Sequence, residues 1–183
     1  MKESVVIIPA RLSSSRLPRK PLKNILGLPM IGHCLYRANF CKDYCDIYIA
    51  TCDQEIKDYV KSIGGKVIMT SNLHKRASTR TQEALEILDK QNNNSYKYIF
   101  MLQGDEPLVR PKHIENILSE LNKNKSDVVN LVYEVKTDNM FADKNNVKVA
   151  IDNDNNALYF SREAIPSNWQ SNSLNKRYIQ SGI

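Results

Sequence analysis

Short apolar runs alternate with longer amphipathic stretches along the first half of the chain. The runs are rich in β-branched residues and predict strands at residues 5–8, 46–51 and 66–70. Apolar positions three and four residues apart predict helices at residues 29–42, 53–63 and 78–90. This order of strands and helices indicates a parallel α/β sheet with helices on both faces.

The second half of the chain begins with its most apolar run. Residues 98–102 are interpreted as the central strand of the sheet, and a helix is predicted after them at residues 111–121. A further strand is predicted at residues 127–135, and residues 140–146 are interpreted as a loop.

A β-hairpin is predicted where residues 147–151 and 157–160 flank the sequence DNDNN. Antiparallel pairs are common at the side of mainly parallel sheets, so this hairpin fits a mixed sheet. The Asn- and Ser-rich residues 167–175 predict a flexible connection rather than a domain boundary. Because no internal repeat is present, residues 1–183 are interpreted as a single domain.

The composition is that of a soluble globular protein, with 183 residues of which 42% are hydrophobic and 25% charged. No apolar stretch approaches membrane-spanning length, and the first eight residues lack the apolar core of a secretory signal. We therefore expect a cytoplasmic protein without membrane attachment.

The four cysteines suggest a metal site only at first sight. Cys34, Cys41, Cys45 and Cys52 contain no CxxC spacing, and only three histidines accompany them. Spacings of seven and four residues place the first three on one face of a helix, which favours buried, reduced thiols.

Positive charge is concentrated near the N-terminus, in the sequence IPARLSSSRLPRKPL at residues 8–22. Residues 4–42 contain seven basic side chains and no acidic one, while the whole chain has a net charge of +6, so the remainder sums to about −1. The cationic excess is therefore local and indicates a site rather than a general property of the surface.

A basic, hydroxyl-rich loop that follows a first parallel strand is placed to bind a polyanion. Ligands of open α/β sheets bind at the carboxyl ends of the strands. The loop has no glycine and no GK[ST] sequence, so it is not a Walker A loop, and Arg and Lys side chains would have to hold the phosphates. A triphosphate suits this loop, but a solvated basic loop or a nucleic-acid patch is the alternative.

A carboxylate is predicted at the same sheet edge. The strand at residues 98–102 leads directly into QGDEP, which contains Asp105 and Glu106. Mg²⁺ binds through one or two carboxylates together with substrate phosphates, which suggests Asp105 as a ligand. The alternative is that Asp105 caps the following helix or a turn. Glu106 is not assigned as a ligand.

Several segments resemble the cytidylyltransferases that activate 3-deoxy-manno-octulosonic acid (Kdo), the CMP-Kdo synthetases. The opening IPARLSSSRLPRKPL is followed by LGLPMIGHCLYRA, and further matches are QGDEP, NNVKV at residues 145–149, and ALYFSR with IP at residues 157–166. These segments occur in the family's order and cover essentially the whole chain. IPAR alone is shared with other sugar nucleotidyltransferases, whereas the set of segments is specific.

The resemblance implies a three-layer α/β/α nucleotide-diphospho-sugar transferase fold, Rossmann-like, with a mainly parallel mixed sheet. It also implies formation of CMP-Kdo or a related CMP-ulosonic acid from CTP and the free sugar acid, for surface-glycan synthesis. Mg²⁺ is the implied cofactor, a homodimer is implied where the family's C-terminal part is present, and no nucleic-acid partner is expected.

The matched motifs also imply roles for individual residues. Arg11, Lys20 and Asp105 are implied as the catalytic set, in which the two cations bind the triphosphate and Asp105 is a Mg²⁺ ligand. The other implied nucleotide-binding residues are Ala10, Ser14, Ser15, Arg16, His74, Arg80 and Gln103. The residues implied for the sugar-acid pocket are Gln103, Arg162 and Gln180.

The chain departs from the family pattern at three places. Arg19 replaces the usual Gly of LPGKPL, and the family's H-x-SGT-[DE]-R reads HKRASTR at residues 74–80, with Ala77 for Gly and Thr79 for the acidic residue. Gln180 stands where the family has a sugar-contacting His. These changes put base selection and the identity of the acceptor in doubt.

The family's C-terminal part, with a second metal carboxylate, further sugar contacts and much of the dimer surface, would follow Ile183. A fragment or a degenerate protein is therefore expected. The rival functions are a CMP-sialic-acid-type synthetase, whose loop is richer in Lys and lacks RLP-x-KPL, and a nucleotide-binding domain without the chemistry.

Overall fold

Strands and helices alternate along the first 123 residues, as the sequence predicts. The computed structural model describes residues 2–13, 17–92, 95–123, 126–167 and 176–182. Its first elements are β1 (Ser4–Pro9), a 3-10 turn (Lys20–Leu22), β2 (Asn24–Ile25), β3 (Leu28–Pro29), α1 (Met30–Asn39), β4 (Cys45–Thr51), α2 (Gln54–Ser62), β5 (Val67–Met69), α3 (Ala77–Asn92), β6 (Tyr98–Met101) and α4 (Pro111–Lys123).

Two units share the chain. The first contains residues 1–119 together with residues 182–183, and the second contains residues 120–181. The interpretation of residues 1–183 as one domain stays a prediction. None of the helices in the described residues is long and apolar enough to cross a membrane.

The central sheet of the first unit is parallel and has the strand order β5-β4-β1-β6. β1 is buried along its whole length because it has a neighbour on each side. The prediction that the apolar run at 98–102 is the central strand is wrong for the described residues. β6 lies at the end of this order and leaves Ile99 43% exposed, so its apolar composition does not indicate its position.

Helices cover both faces of this sheet, which confirms the three-layer α/β fold. Side chains alternate along a strand, so Val5 and Ile7 point to one face of β1, where Ala84 and Leu88 of α3 pack on them. Val6 and Ile8 point to the opposite face and are also fully buried. α1 packs on β1 and β4. Because the four strands are parallel, all of them end at the same edge of the sheet, and the loops that follow them lie at that edge.

Cys34, Cys41 and Cys45 are buried as predicted, but not for the predicted reason. Cys34 lies within α1, Cys41 follows that helix and Cys45 begins β4, so the three do not share a helix face. Burial raises the pKa of the Cys34 thiol to about 12 and that of Cys45 to about 11. These thiols are inert core side chains at neutral pH.

The second unit contains an antiparallel sheet. Its elements are β7 (Val132–Glu134), α5 (Asp138–Ala142), β8 (Lys148–Ile151), β9 (Ala157–Ser161) and β10 (Tyr178–Gln180), and the strand order is β7-β10-β8-β9. The predicted hairpin is confirmed as β8 and β9. The Asp152 carboxylate shapes its turn by accepting hydrogen bonds from the amides of Asp154 (2.9 Å) and Asn156 (2.8 Å).

Two predictions for the second unit have the wrong bounds. The strand expected over residues 127–135 is only three residues long, and Val128, before it, is 76% exposed. The loop expected over residues 140–146 begins inside α5. Thr137 caps this helix by accepting a hydrogen bond from the Met140 amide (3.3 Å), and Phe141 is buried. Of the predicted flexible connection, residues 168–175 lie outside the described residues.

Candidate active site

A cavity of about 360 Å³ lies at the carboxyl ends of the parallel strands in the first unit. Its walls come from the end of β1, the 3-10 turn, the segment before α3 and the turn after β6. It is lined by Pro9, Ala10, Arg11, Lys20, Pro21, Met30, His74, Lys75, Arg76, Ala77, Arg80, Gln103, Gly104 and Asp105. The basic loop and the QGDEP turn therefore meet in one site, as the sequence predicts.

The charge of this lining favours an anionic ligand. Among the described residues, five cationic side chains line the cavity against a single carboxylate, that of Asp105. Lys75 and Arg76 were not among the predicted site residues, although their position just before a predicted helix was a usable signal. A polyphosphate with its own metal ion would balance this excess better than a neutral ligand.

The backbone around Arg11 is fixed from two sides. The Ala10 amide donates to the carbonyl of Ala50 (2.9 Å), and the Leu12 amide donates to a carboxylate oxygen of Asp53 (2.8 Å). The Arg11 guanidinium reaches across the cavity to the carbonyl of His74 (3.2 Å). The loop thus leaves β1 in a set direction and aims Arg11 into the site.

Lys20 and Asp105 form an ion pair inside the cavity. Lys20 Nζ lies 2.6 Å from Asp105 Oδ2, and the two side chains are 36% and 41% exposed. Both groups are accessible and face the same space, so each can turn to a ligand without unfolding the loop that carries it. All three residues implied as catalytic therefore line one cavity.

Arg19 occupies a position that is Gly in the family that the sequence resembles. Its backbone conformation explains why Gly is favoured at this position. Its φ is 59° and its ψ 24°, in the left-handed region that side chains with a Cβ disfavour. The Arg19 amide donates to the carbonyl of Leu12 (3.1 Å) and closes the loop, while its guanidinium pairs with Glu55.

Substitution of Arg19 is expected to reveal the free-energy cost of its left-handed backbone conformation. Arg19→Gly should be more stable than Arg19→Ala by about 1 kcal/mol, because both variants lose the pair with Glu55 but only Ala keeps the left-handed penalty. Urea unfolding of the two variants measures the difference. At Lys57, within α2, the same two substitutions should rank in the opposite order. Equal stability of the two Arg19 variants would contradict the loop geometry.

The His74 imidazole is held by the protein itself. Its Nε2 bonds to a carboxylate oxygen of Glu83, and its Nδ1 lies 3.1 Å from the hydroxyl of Thr79. Glu83 also accepts from the Ser71 amide (2.8 Å). Desolvation raises the Glu83 pKa, but hydrogen bonds from Ser71 and His74 outweigh it and leave the pKa below its ordinary value. His74 therefore braces the segment before α3, and Glu83 is a site residue that no sequence motif marked.

Arg80 is the least exposed cation of the cavity, at 2%. Its guanidinium donates to the Thr70 hydroxyl, the Ser71 carbonyl (3.2 Å) and the Cys52 sulfur (3.5 Å). These hydrogen-bond partners are uncharged, and the nearby Glu83 carboxylate offsets part of the Arg80 charge. A negatively charged ligand in the cavity would stabilise this buried guanidinium further.

The remaining predicted site residues fall into three groups. Ser14, Ser15 and Arg16 fall outside the described residues. Gln103 lines the cavity, whereas Arg162 and Gln180 belong to the second unit, where Gln180 Nε2 donates to Asn130 Oδ1 (2.8 Å).

Arg162 is anchored to its own unit through backbone carbonyls. One guanidinium nitrogen donates to the carbonyls of Lys144 (2.9 Å) and Asn145 (3.0 Å). The assignment of Arg162 and Gln180 to a sugar-acid pocket stays a prediction.

Lys148 supports the same loop from inside the second unit. It is fully buried in β8, and its Nζ donates to the carbonyls of Asp143 (2.9 Å), Asn146 (3.0 Å) and Arg162. A lysine in an alternating strand pattern is usually read as exposed, so the sequence did not mark it.

The sequence model of one protein family, described as cytidylyltransferase, matches residues 5–183 of the chain. The chain belongs to the cytidylyltransferase family. Among its relatives, the 8-amino-3,8-dideoxy-manno-octulosonate cytidylyltransferase of Shewanella pealeana is 44% identical over 163 residues, and that of Shewanella frigidimarina is 42% identical. Each alignment covers 88% of this chain, and the chain spans 65% of the length of these relatives.

Solved structures of the cytidylyltransferase type agree with the fold. A structure of CMP:2-keto-3-deoxy-manno-octonic acid synthetase complexed with CTP has a TM-score of 0.87 and 34% identity, and the match covers all of this chain and 72% of the other. A cytidylyltransferase from Leptospira borgpetersenii has a TM-score of 0.56 at 22% identity, with coverage of 72% and 54%, and supports the fold alone.

Proposed function

We propose that this protein transfers the cytidylyl group of CTP to an ulosonic acid of the Kdo type. In this reaction a hydroxyl oxygen of the sugar acid attacks the α-phosphorus of CTP. The bond from that phosphorus to the bridging oxygen breaks, and pyrophosphate leaves as the CMP-sugar forms. The sugar hydroxyl gives up its proton to solvent or to a phosphate oxygen.

The observation that carries this proposal is the meeting of Arg11, Lys20 and Asp105 in one cationic cavity at the sheet edge. The two cations suit the β- and γ-phosphates, where negative charge grows as pyrophosphate departs. The ion pair between Lys20 and Asp105 holds both groups close together before a ligand arrives. Positioning and charge stabilisation would therefore supply most of the catalysis.

Mg²⁺ fits the donors that this cavity offers. Within the described ranges no three His, Cys, Asp or Glu side chains are grouped so as to hold a metal by themselves. A single carboxylate from Asp105 together with phosphate oxygens is a usual donor set for Mg²⁺, which retains several waters. Bound there, Mg²⁺ would supply charge neutralisation on the phosphates, and Asp105 would hold it in place.

The acceptor is proposed to be Kdo or its 8-amino-3,8-dideoxy analogue. The amino sugar is favoured because the relatives that are 42–44% identical are named for it, whereas the solved synthetase named for the unsubstituted acid is 34% identical. These names do not favour the alternative of a sialic-acid substrate. Gln103, Arg162 and Gln180 are the proposed acceptor-binding residues. Assembly into a homodimer and a cytoplasmic location remain predictions.

A nucleotide panel tests the proposal. Calorimetric titration with CTP, UTP, ATP and GTP, each with Mg²⁺, should show tightest binding of CTP, and a product assay with each sugar acid should yield the CMP-sugar. Equal affinity for all four nucleotides and for single-stranded DNA would instead indicate a nonspecific basic surface. CTP binding without product from either acid would favour the nucleotide-binding domain without the chemistry.

A further inference from the structure

The turn that carries Asp105 is fixed by its neighbours rather than by its own hydrogen bonds alone. A Cβ placed on Gly104 would lie 2.9 Å from the carbonyl oxygen of Pro9, so the turn packs closely against the end of β1. Within the turn, the Glu106 amide donates to the carbonyl of Gln103 (3.1 Å). This close approach fixes the position of Gly104 against β1. A second contact holds the residues on either side of it, Gln103 and Glu106.

That contact is made by Gly182, which belongs to the first unit although it is distant in sequence. The Gln103 amide donates to the Gly182 carbonyl (3.0 Å). Burial raises the pKa of the Glu106 carboxyl, and the Gly182 amide that faces it partly offsets this rise. A Cβ on Gly182 would stand only 2.2 Å from Glu106 Oε1, so only glycine leaves room for this carboxylate. Gly182 is therefore bonded to the QGDEP turn through its carbonyl and packs closely against the Glu106 side chain.

The two neighbouring carboxylates of this turn have different surroundings. Asp105 is 41% exposed and lines the cavity, where it meets Lys20. Glu106 is not part of the cavity lining, and its side chain packs against Gly182. Glu106 thus faces Gly182, while the adjacent Asp105 faces the cavity.

We propose that Glu106 is a positioning residue, which holds the turn through Gly182 and so keeps the Asp105 carboxylate aimed at the metal and the phosphates. This inference rests on the proposed function. It explains why QGDEP contains two consecutive carboxylates although only one faces the cavity. Outer partners of this kind typically change metal affinity by about 10- to 100-fold when they are removed.

The test measures Mn²⁺ binding to the CTP complex by electron paramagnetic resonance, and CTP affinity in EDTA by calorimetry. Glu106→Ala should weaken Mn²⁺ binding about 10-fold or more while CTP affinity in EDTA changes less than about twofold. Glu106→Gln should recover most of the Mn²⁺ affinity, because a glutamine side chain of the same size keeps the packing against Gly182. The matched control is Glu86→Ala, which removes an exposed carboxylate whose described partner is Gln82 of the same helix.

Gly182→Ala keeps the proposal testable if Glu106→Ala folds poorly. The added methyl group should displace the flexible end of Glu106 at little cost to folding and weaken Mn²⁺ binding in the same way. Mn²⁺ affinity equal to that of Glu86→Ala in both Glu106→Ala and Gly182→Ala, with loss in Asp105→Asn, would overturn the positioning role alone. Unchanged Mn²⁺ affinity in Asp105→Asn would overturn both the proposed metal ligand and this inference.

Discussion

Asp105→Asn is expected to lower CMP-sugar formation by about 100- to 1000-fold while the protein remains folded. An amide has the size of the carboxylate but no charge, so it holds a divalent cation against the phosphates much less tightly. Losses of this size are usual when one group that stabilises developing charge is removed. The melting temperature should change little, because the exposed pair of Asp105 with Lys20 is worth at most about 1 kcal/mol.

Pyrophosphate release at saturating Mg²⁺ measures this effect, and a thermal melt of the same samples checks the fold. Asp58→Asn is the matched control, because Asp58 is exposed on α2 and bonds only to Gln54 of the same helix among its described partners. Turnover of Asp105→Asn within a factor of two of that control would remove Asp105 from the chemistry.

Lys148→Met is expected to lower the free energy of unfolding by about 3 kcal/mol. Met fills most of the space of the lysine stem, but it leaves three backbone carbonyls without their charged donor. Each such bond is worth about 1.5–3 kcal/mol, and the partly exposed carbonyls would recover part of that loss from water. The loop that carries the carbonyls bonded to Arg162 should loosen as well.

Chemical denaturation measures the Lys148 effect. Lys144→Met is the matched control, because Lys144 is 74% exposed and its pair with Glu163 lies on the surface, where such pairs contribute about 0–1 kcal/mol. A loss below 1 kcal/mol for Lys148→Met, or one equal to that of Lys144→Met, would show that the three carbonyls do not depend on the ammonium group.

The parts of the fold that follow from local pattern were predictable from the sequence. β1 and β4 are mainly apolar runs, and each lies between two other strands of the sheet. The hairpin of β8 and β9 is marked by its Asp- and Asn-rich turn. The same apolar pattern predicted too long a strand over residues 127–135, because an apolar run is stable as a strand only where other residues pack on it. α5 was missed because five residues carry too little periodicity, although its Thr137 cap was a readable signal.

The candidate site was predictable where a motif concentrates the chemistry. Arg11, Lys20 and Asp105 stand in segments that follow two strands of one parallel sheet, so the topology alone brings them to one edge. Glu83 and Lys148 were not predictable, because each acts through contacts with backbone groups that come together only in the folded chain. His74 was assigned to the nucleotide from resemblance, and its contacts with Glu83 and Thr79 are visible only in the folded chain.

The most direct test of the central claim, that the cationic cavity of the first unit binds CTP, is a calorimetric titration of CTP into Arg11→Ala and Lys20→Ala. Each variant should lose about 1.5–3 kcal/mol of binding free energy, the range for hydrogen bonds to charged groups, with an unchanged melting temperature. Lys123→Ala, which removes an exposed charge at the end of α4, should bind CTP like the unmodified chain. An equal loss in all three variants would contradict the account, because it would show that CTP responds to overall charge and not to this cavity.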